Sequence, residues 1–537
     1  MFSPALRSRM MVRACALLLS LFLVVSLSSP AARGEEERLR PGDVEKPAQE
    51  VRSDAEPFEP FLIRGVSFEG TEVPEAVANA ARPFIGGTAT KEVLSKMAAD
   101  MSAAYKDAGI AFFTVIIPNQ SFENGVIRVR AAEGRVANVN FSGETDGRNH
   151  YMVTAYAERL KRDTPTRQAT LERTVSLTRD IPGLKIEPVI RYGAEPGTID
   201  IDMKLDYQKP TLTAGFSNRT TRLVRDGQLS ALGKAYRLLR DGDLTTMRLA
   251  ASVNFKDSLQ AGLSHSTPIG TSGLRAEASA TIVRSRPATT VIEGDAQIYN
   301  LALTMPVIRS YKRNLVTRAS LDAVNSDNAA FGSLIATEQT RAARVIASYS
   351  DNHERTGLRL KGEVAQGFAA LGADVSPMIG EEQYTKAEIE AGLTRRIGER
   401  GFLRLSGGAQ WTDDLLPANE RFSIGGAPWG RAFETALLNA DRGFGISAEN
   451  AWRPISGGDF SKSEIYIFTD YASGDIFSRF TDATASFDLG SFGAGLRAAY
   501  EDKGVLEIEL ARPLDQPVPG FDQDWRLSIG WRFEWRP

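Results

Sequence analysis

From about Pro210 to the C-terminus, apolar and polar residues alternate with a period of two. Leu274, Ala276, Ala278, Ala280 and Ile282 share one face, opposite Arg275, Glu277, Ser279 and Thr281. Leu358, Leu360 and Val364 oppose Arg359, Lys361 and Glu363, and Leu506, Ile508 and Leu510 oppose Glu507 and Glu509. The last segment sets Trp525, Leu527, Ile529, Trp531, Phe533 and Trp535 against Arg526, Ser528, Gly530, Arg532, Glu534 and Arg536. Successive residues of a strand point to opposite faces, so this alternation predicts strands. The polar face is rich in Arg, Lys and Glu, and aromatics stand at strand ends. That is the pattern of a barrel with lipid outside and a polar lumen. Only a closed barrel leaves no unpaired strand edge in lipid. Turn signals at Lys256-Asp257, Gly270–Gly273, Glu354–Gly357, Gly398–Gly401 and Glu501–Gly504 help divide the region into about sixteen strands, an even number as such barrels have. An even count returns the C-terminus to the side on which the chain enters.

Ahead of this region the pattern changes. Val66-Ser67-Phe68-Glu69-Gly70 recurs as Val139-Asn140-Phe141-Ser142-Gly143. Each copy reads as a short strand closed by glycine, then helical sequence, then two strands. Val93, Leu94, Met97, Met101 and Tyr105 mark a helix over Lys91–Gly109, with the glycine as its cap. Phe112–Ile117 and Val126–Val129 read as strands joined across Asn124-Gly125. In the second copy a helix is expected from about Arg167 to Asp180, with Leu171, Val175 and Leu177 on it. It breaks at Ile181-Pro182-Gly183-Leu184, and strands follow near Ile186–Tyr192 and Ile199–Leu205.

The first 34 residues read as a secretory leader. Arg7, Arg9 and Arg13 precede the apolar run Ala14–Leu27, and Ala32-Arg33-Gly34 is a suitable cleavage site. Cys15, the only cysteine, lies inside it, so disulfides and thiol chemistry are not expected of the mature chain. Residues 35–60 are acidic and carry Pro41, Pro47, Pro57 and Pro60, which reads as a linker without an amphipathic helix. The chain has 537 residues and net charge −3, so several domains and no nucleic-acid footprint are expected. His150, His265 and His353 are isolated, and no zinc spacing, P-loop, G-x-S-x-G elbow or H-E-x-x-H is present. Neither an enzyme nor a cofactor or metal site is expected.

One stretch stands apart, Glu420-Arg421-Phe422-Ser423-Ile424-Gly425-Gly426-Ala427-Pro428-Trp429-Gly430-Arg431-Ala432-Phe433-Glu434. Its glycines and proline interrupt regular structure between two strands, the second beginning near Asp441-Arg442-Gly443-Phe444. Its aromatics and arginine suit a loop that packs against something. Further on, Ser463–Tyr471 reads as one strand, with Ile465 and Ile467 toward lipid and Tyr466, Phe468 and Asp470 toward the lumen.

These two segments resemble the loop and the F-x-D strand of the Omp85 outer-membrane transporters. Phe422, Ile424, Gly425, Gly426, Arg431, Phe433, Asp441, Arg442 and Gly443 match the loop, while Gly430 and Ala432 depart from the usual Val and Gly. Phe468 and Asp470 match the strand. Residues 61–208 resemble tandem POTRA domains. Phe113 through Pro118-Asn119-Gln120, Asn124-Gly125 and Glu133-Gly134 are similar to the first, and Asp180-Ile181-Pro182-Gly183 to the second, of the TpsB transporters of two-partner secretion.

The resemblance implies a leader (1–34), a periplasmic linker (35–60), POTRA domains at 61–135 and 136–208, and a transmembrane β-barrel at 209–537. It implies an outer-membrane transporter that exports a haemolysin- or adhesin-like exoprotein captured by its POTRA domains. It also implies insertion into outer-membrane lipid by the barrel assembly machinery. Arg431 would fold into the barrel and pair with Asp470, beside Phe433 and Phe468. An arginine and a carboxylate can form two parallel bonds. The alternatives are an assembly factor of the same superfamily, which usually carries more POTRA domains, and a passive porin, which needs no periplasmic modules.

Overall fold

The computed structural model describes residues 58–70, 72–143, 150–224, 226–288, 292–330, 333–514 and 524–536. The expected leader lies outside them, as does the linker apart from Phe58-Glu59-Pro60.

Two small α+β modules precede the barrel, and they share one topology. In the first, the strand Gly65–Gly70 runs parallel to Val126–Glu133, which pairs antiparallel with Phe113–Ile116. In the second, Arg135–Gly143 runs parallel to Thr198–Tyr207, which pairs antiparallel with Leu184–Tyr192. The repeated glycine has a steric cause. Gly70 and Gly143 both hold positive φ, and a Cβ at either would strike the carbonyl oxygen of Ala131 or Leu205 on the neighbouring parallel strand.

The helix Lys91–Asp107 starts at Thr90, whose hydroxyl accepts the Val93 amide at 3.3 Å. It buries Leu94, Met97, Met101 and Tyr105 against Ile127, Val129 and Ala131. Val93, expected on that face, lies at its margin and stays half-buried. The second module packs Val153, Tyr156 and Leu160 of the helix Tyr151–Lys161 with Leu171, Val175 and Leu177 of the helix Gln168–Arg179. The turn at Asn124-Gly125 is real, both residues having positive φ, but it closes a longer connection than a two-residue hairpin. Gln120 fills the gap: its side chain accepts the Arg128 amide at 2.9 Å and donates to the Arg128 carbonyl at 2.8 Å. It thereby stands in for a strand residue.

Among the described residues sixteen long antiparallel strands, with the two-residue strand Asp374–Val375, form a closed barrel. The first, Thr211–Ser217, closes on the last, Arg526–Trp535, over the pairs from Gly530↔Ser217 to Trp535↔Leu212. Asn218 lengthens this seam, its side chain donating to the Leu527 carbonyl and accepting the Ile529 amide. Outward positions are apolar and bare of protein, such as Leu263, Ile282, Val364, Ile389 and Ile467. Trp411 and Trp525 stand at one rim, and Trp452, Tyr500 and Trp535 at the other. This is the lipid-facing band between aromatic girdles. No helix of the described residues is long and apolar enough to cross a membrane.

Candidate functional site

The chain between the strands Gly401–Trp411 and Arg442–Trp452 does not stay outside. It folds into the lumen as a short ribbon, Phe422–Ile424 paired with Leu438–Ala440, so the expected irregular loop contains a small regular element. Gly425 and Gly426, both at positive φ, carry the chain into the tip, and their amides donate to the carbonyls of Trp429 and Gly430.

Three contacts hold the tip. Trp429 is the first. Gly408 and Gly445 are cross-strand partners, and a Cβ at either would run into the indole. The missing side chains are the slot for Trp429, whose ring also stacks on Phe422 at 5.9 Å. Phe433 is the second, buried with Phe422, Ile424 and Phe468. Arg431 is the third. Its Nη1 donates to Glu449 at 3.0 Å and Glu509 at 3.3 Å, and its Nη2 to Ser447 at 3.3 Å. The guanidinium lies 4.2 Å from the Phe468 ring centre, a cation–π distance.

The two parallel bonds expected between Arg431 and Asp470 are therefore not formed. Arg431 Nε lies 3.8 Å from Asp470 Oδ2, and the hydrogen bonds run to the two glutamates. Asp470 instead accepts the Gly430 amide at 2.6 Å and the Ser491 hydroxyl at 2.5 Å. The reason is reach and backbone shape. Gly430, at φ +95, turns its amide onto the short aspartate side chain, while the longer glutamates extend to the guanidinium. Gly430, one of the two departures from the loop pattern, is what this arrangement requires. Ala432, the other, is buried.

The loop is also tied at its base. Glu420 accepts from Arg344 at 2.5 Å and pairs with Lys386 at 3.3 Å; Arg344 reaches Asp322 and Glu363 as well. Asp441, where the loop rejoins the wall, takes two bonds of 2.7 Å from Arg479 and accepts the amides of Leu416 and Phe477. Gly443 has the Ser473 carbonyl and the Phe422 ring against its Cα, leaving no space for a side chain. Behind the tip, Glu449 is shared among Arg431, Arg497 and Arg404, and Glu509 takes the Tyr466 hydroxyl and Arg219. The arrangement is a lumen of paired charges gripping an inward loop. Among the described residues no group of His, Cys, Asp and Glu could hold a metal ion.

The sequence did not single out Glu449, Ser447, Ser491, Gly408, Gly445 or Arg479. Alternation placed Glu509 on the polar face, yet it gives no depth in the barrel, so it could not say which acids meet the tip.

The sequence profile of the haemolysin secretion/activation protein family ShlB/FhaC/HecB matches residues 197–498, and that of the ShlB-type POTRA domain matches residues 61–134. The chain belongs to the ShlB/FhaC/HecB family. It is an outer-membrane transporter of two-partner secretion, with its POTRA modules in the periplasm and a secreted protein as its partner. The heme/hemopexin transporter protein HuxB of Haemophilus influenzae is 20% identical over 483 residues, covering 85% of this chain and 84% of its own. CdiB from Escherichia coli superposes with a TM-score of 0.70 at 16% identity, covering 100% of this chain and 99% of its own. CdiB from Acinetobacter baumannii gives 0.64 at 14% identity with both chains covered fully. At such identities the structural likeness is one of fold. The second module lies outside the POTRA match, and its strand topology repeats that of the first.

Proposed function

We propose that this ShlB/FhaC/HecB transporter exports a large exoprotein of haemolysin or adhesin type from periplasm to cell surface. The first POTRA module captures the unfolded partner, and the inward loop is the latch of the conduit. The observation that carries this reading is the loop tip itself. It fills the lumen yet is held by ion pairs, ring packing and hydrogen bonds, all of which can be undone without breaking the barrel. No nucleotide is needed, because folding outside the cell supplies direction. The barrel assembly machinery inserts the transporter, as for other outer-membrane barrels.

Capture by strand addition needs an open sheet edge with backbone donors. Phe113–Ile116 provides one in the first module. The equivalent edge of the second, Leu184–Tyr192, is poorer. Gly183 with Gln208 and Gly193 with Thr198 are ladder-bonded. Bonded and outward residues alternate, so the nitrogen of Pro188 faces the open edge and offers no donor.

Deletion of residues 61–137 tests the docking claim. Export of the partner should cease while the barrel still inserts and remains heat-modifiable. Undiminished export by the truncated transporter would place docking elsewhere.

A further inference from the structure

Asp180-Ile181-Pro182-Gly183 takes no part in the loop or in the wall that grips it. Asp180 and Gly183 face the barrel mouth. Asp180 follows the helix Gln168–Arg179, and its two oxygens accept from Arg309 Nε at 2.6 Å and Nη2 at 2.7 Å. Arg309 ends the barrel strand Ile292–Arg309. Ile181 turns the other way, into the module's own core. Gly183 stands at φ +75, and a Cβ there would lie 2.5 Å from the ring of Tyr236, the last residue of the barrel strand Gln228–Tyr236. Further up the helix, Arg173 donates to the carbonyls of Ser272, Pro306 and Val307 at 3.1, 3.0 and 3.1 Å. This helix and its C-terminal turn thus meet two strand ends, the turn at Ser272 and the irregularity at Pro306-Val307 within the strand Ile292–Arg309.

We propose that Asp180-Ile181-Pro182-Gly183, with Arg173, is the docking element that sets the second POTRA module on the barrel mouth. Asp180 and Gly183 are positioning residues: they touch no partner protein but fix the direction in which it is handed to the lumen. The last clause rests on the transport reading; the joint itself does not. A partly exposed ion pair is weak alone, so Asp180 and Arg309 orient the module. Gly183 is the point where one added side chain must separate it from Tyr236.

The test uses the full-length transporter with Cys15→Ser, Lys185→Cys on the module's edge strand and Glu399→Cys on a barrel turn, both spin-labelled. Pulsed electron paramagnetic resonance then gives the module–barrel distance distribution. Gly183→Val should shift and broaden it, and adding Tyr236→Ala should return it toward the parent distribution. Asp180→Arg and Arg309→Asp should each broaden it, and the charge-swapped pair should narrow it again. Unchanged distributions in Gly183→Val and Asp180→Arg would overturn the proposal. So would broadening that neither partner substitution relieves, because that marks damage inside the module. The distance reading needs no partner protein, so it judges the joint even if the transport reading fails.

Discussion

Arg431 Nε and Asp470 Oδ2 face each other across 3.8 Å at the loop tip, and both atoms are buried without a hydrogen-bond partner among the described residues. Asp470 therefore has two separable roles: Oδ1 holds the Gly430 amide, and the carboxylate charge faces the guanidinium.

This separation predicts graded effects. Asp470→Asn keeps an oxygen for Gly430 and Ser491 and loses only the charge, so it should reduce export less than Asp470→Ala. Arg431→Ala leaves Glu449 with Arg497 and Arg404 and Glu509 with Arg219, but takes from the buried Asp470 the guanidinium that faces it, so export should fall. The Arg431→Ala/Asp470→Ala double variant should be less damaging than the sum of the singles, and coupling to Glu449 should be larger still. Secreted partner per inserted transporter is the quantity to measure; strict additivity for both pairs would separate Arg431 from this network.

The Trp429 slot makes a second prediction. Gly445→Val or Gly408→Leu fills the space that the indole occupies, and should expel the tip from its seat. Single-channel conductance in planar bilayers should rise relative to the parent protein. An unchanged conductance would mean that Trp429 does not hold the tip in place.

Asp441 should matter for stability more than for transport chemistry. Asp441→Ala strips Arg479 of its carboxylate and leaves the Leu416 and Phe477 amides unsatisfied. The cost is on the order of 3–5 kcal/mol. The heat-modifiable folded band should disappear at a lower temperature than in the parent, and an unaltered transition would contradict the role assigned to the pair.

Much of this architecture was legible in the chain because the rules behind it are local. Period-two alternation with charges on one face specifies a lipid-bounded barrel, and the V-x-F-x-G repeat marks two modules whose glycine is forced by a parallel neighbour. The first helices, Glu75–Ala81 and Tyr151–Lys161, carry no such local mark at their starts. The former has no side-chain cap and the latter starts at His150, which makes no cap bond either. The loop's entry into the lumen followed from family likeness. Its wiring did not, because Glu449 and Asp470 are both lumen-facing acids on adjacent strands. Side-chain reach and the positive φ of Gly430 together decide which of them receives a backbone amide and which the guanidinium.

In the first POTRA module, Tyr105 stacks on Phe113 at 5.0 Å, and its hydroxyl is buried without a hydrogen-bond partner among the described residues. Leaving a buried donor unmet is costly, so Tyr105→Phe should be neutral or stabilising. Burial, with Glu133 nearby, pushes the Tyr105 hydroxyl up to about 12. The raised value means that its contribution is complete below about pH 10, where the unfolded chain begins to ionise, and is lost as pH rises through 12. Protease resistance of the module in the full transporter should fall over that alkaline range less in Tyr105→Phe than in the parent. An equal or steeper fall would contradict this.

The most direct test of the latch is to prevent it from opening. Trp429→Cys with Gly445→Cys places two thiols where indole and wall now touch, in a transporter carrying Cys15→Ser. The oxidised, cross-linked transporter should remain inserted but stop exporting, and reduction should restore export to the level of the uncross-linked pair. Equal export by the oxidised and reduced forms would show that the partner crosses with the loop tip still seated, so that the loop is not a latch.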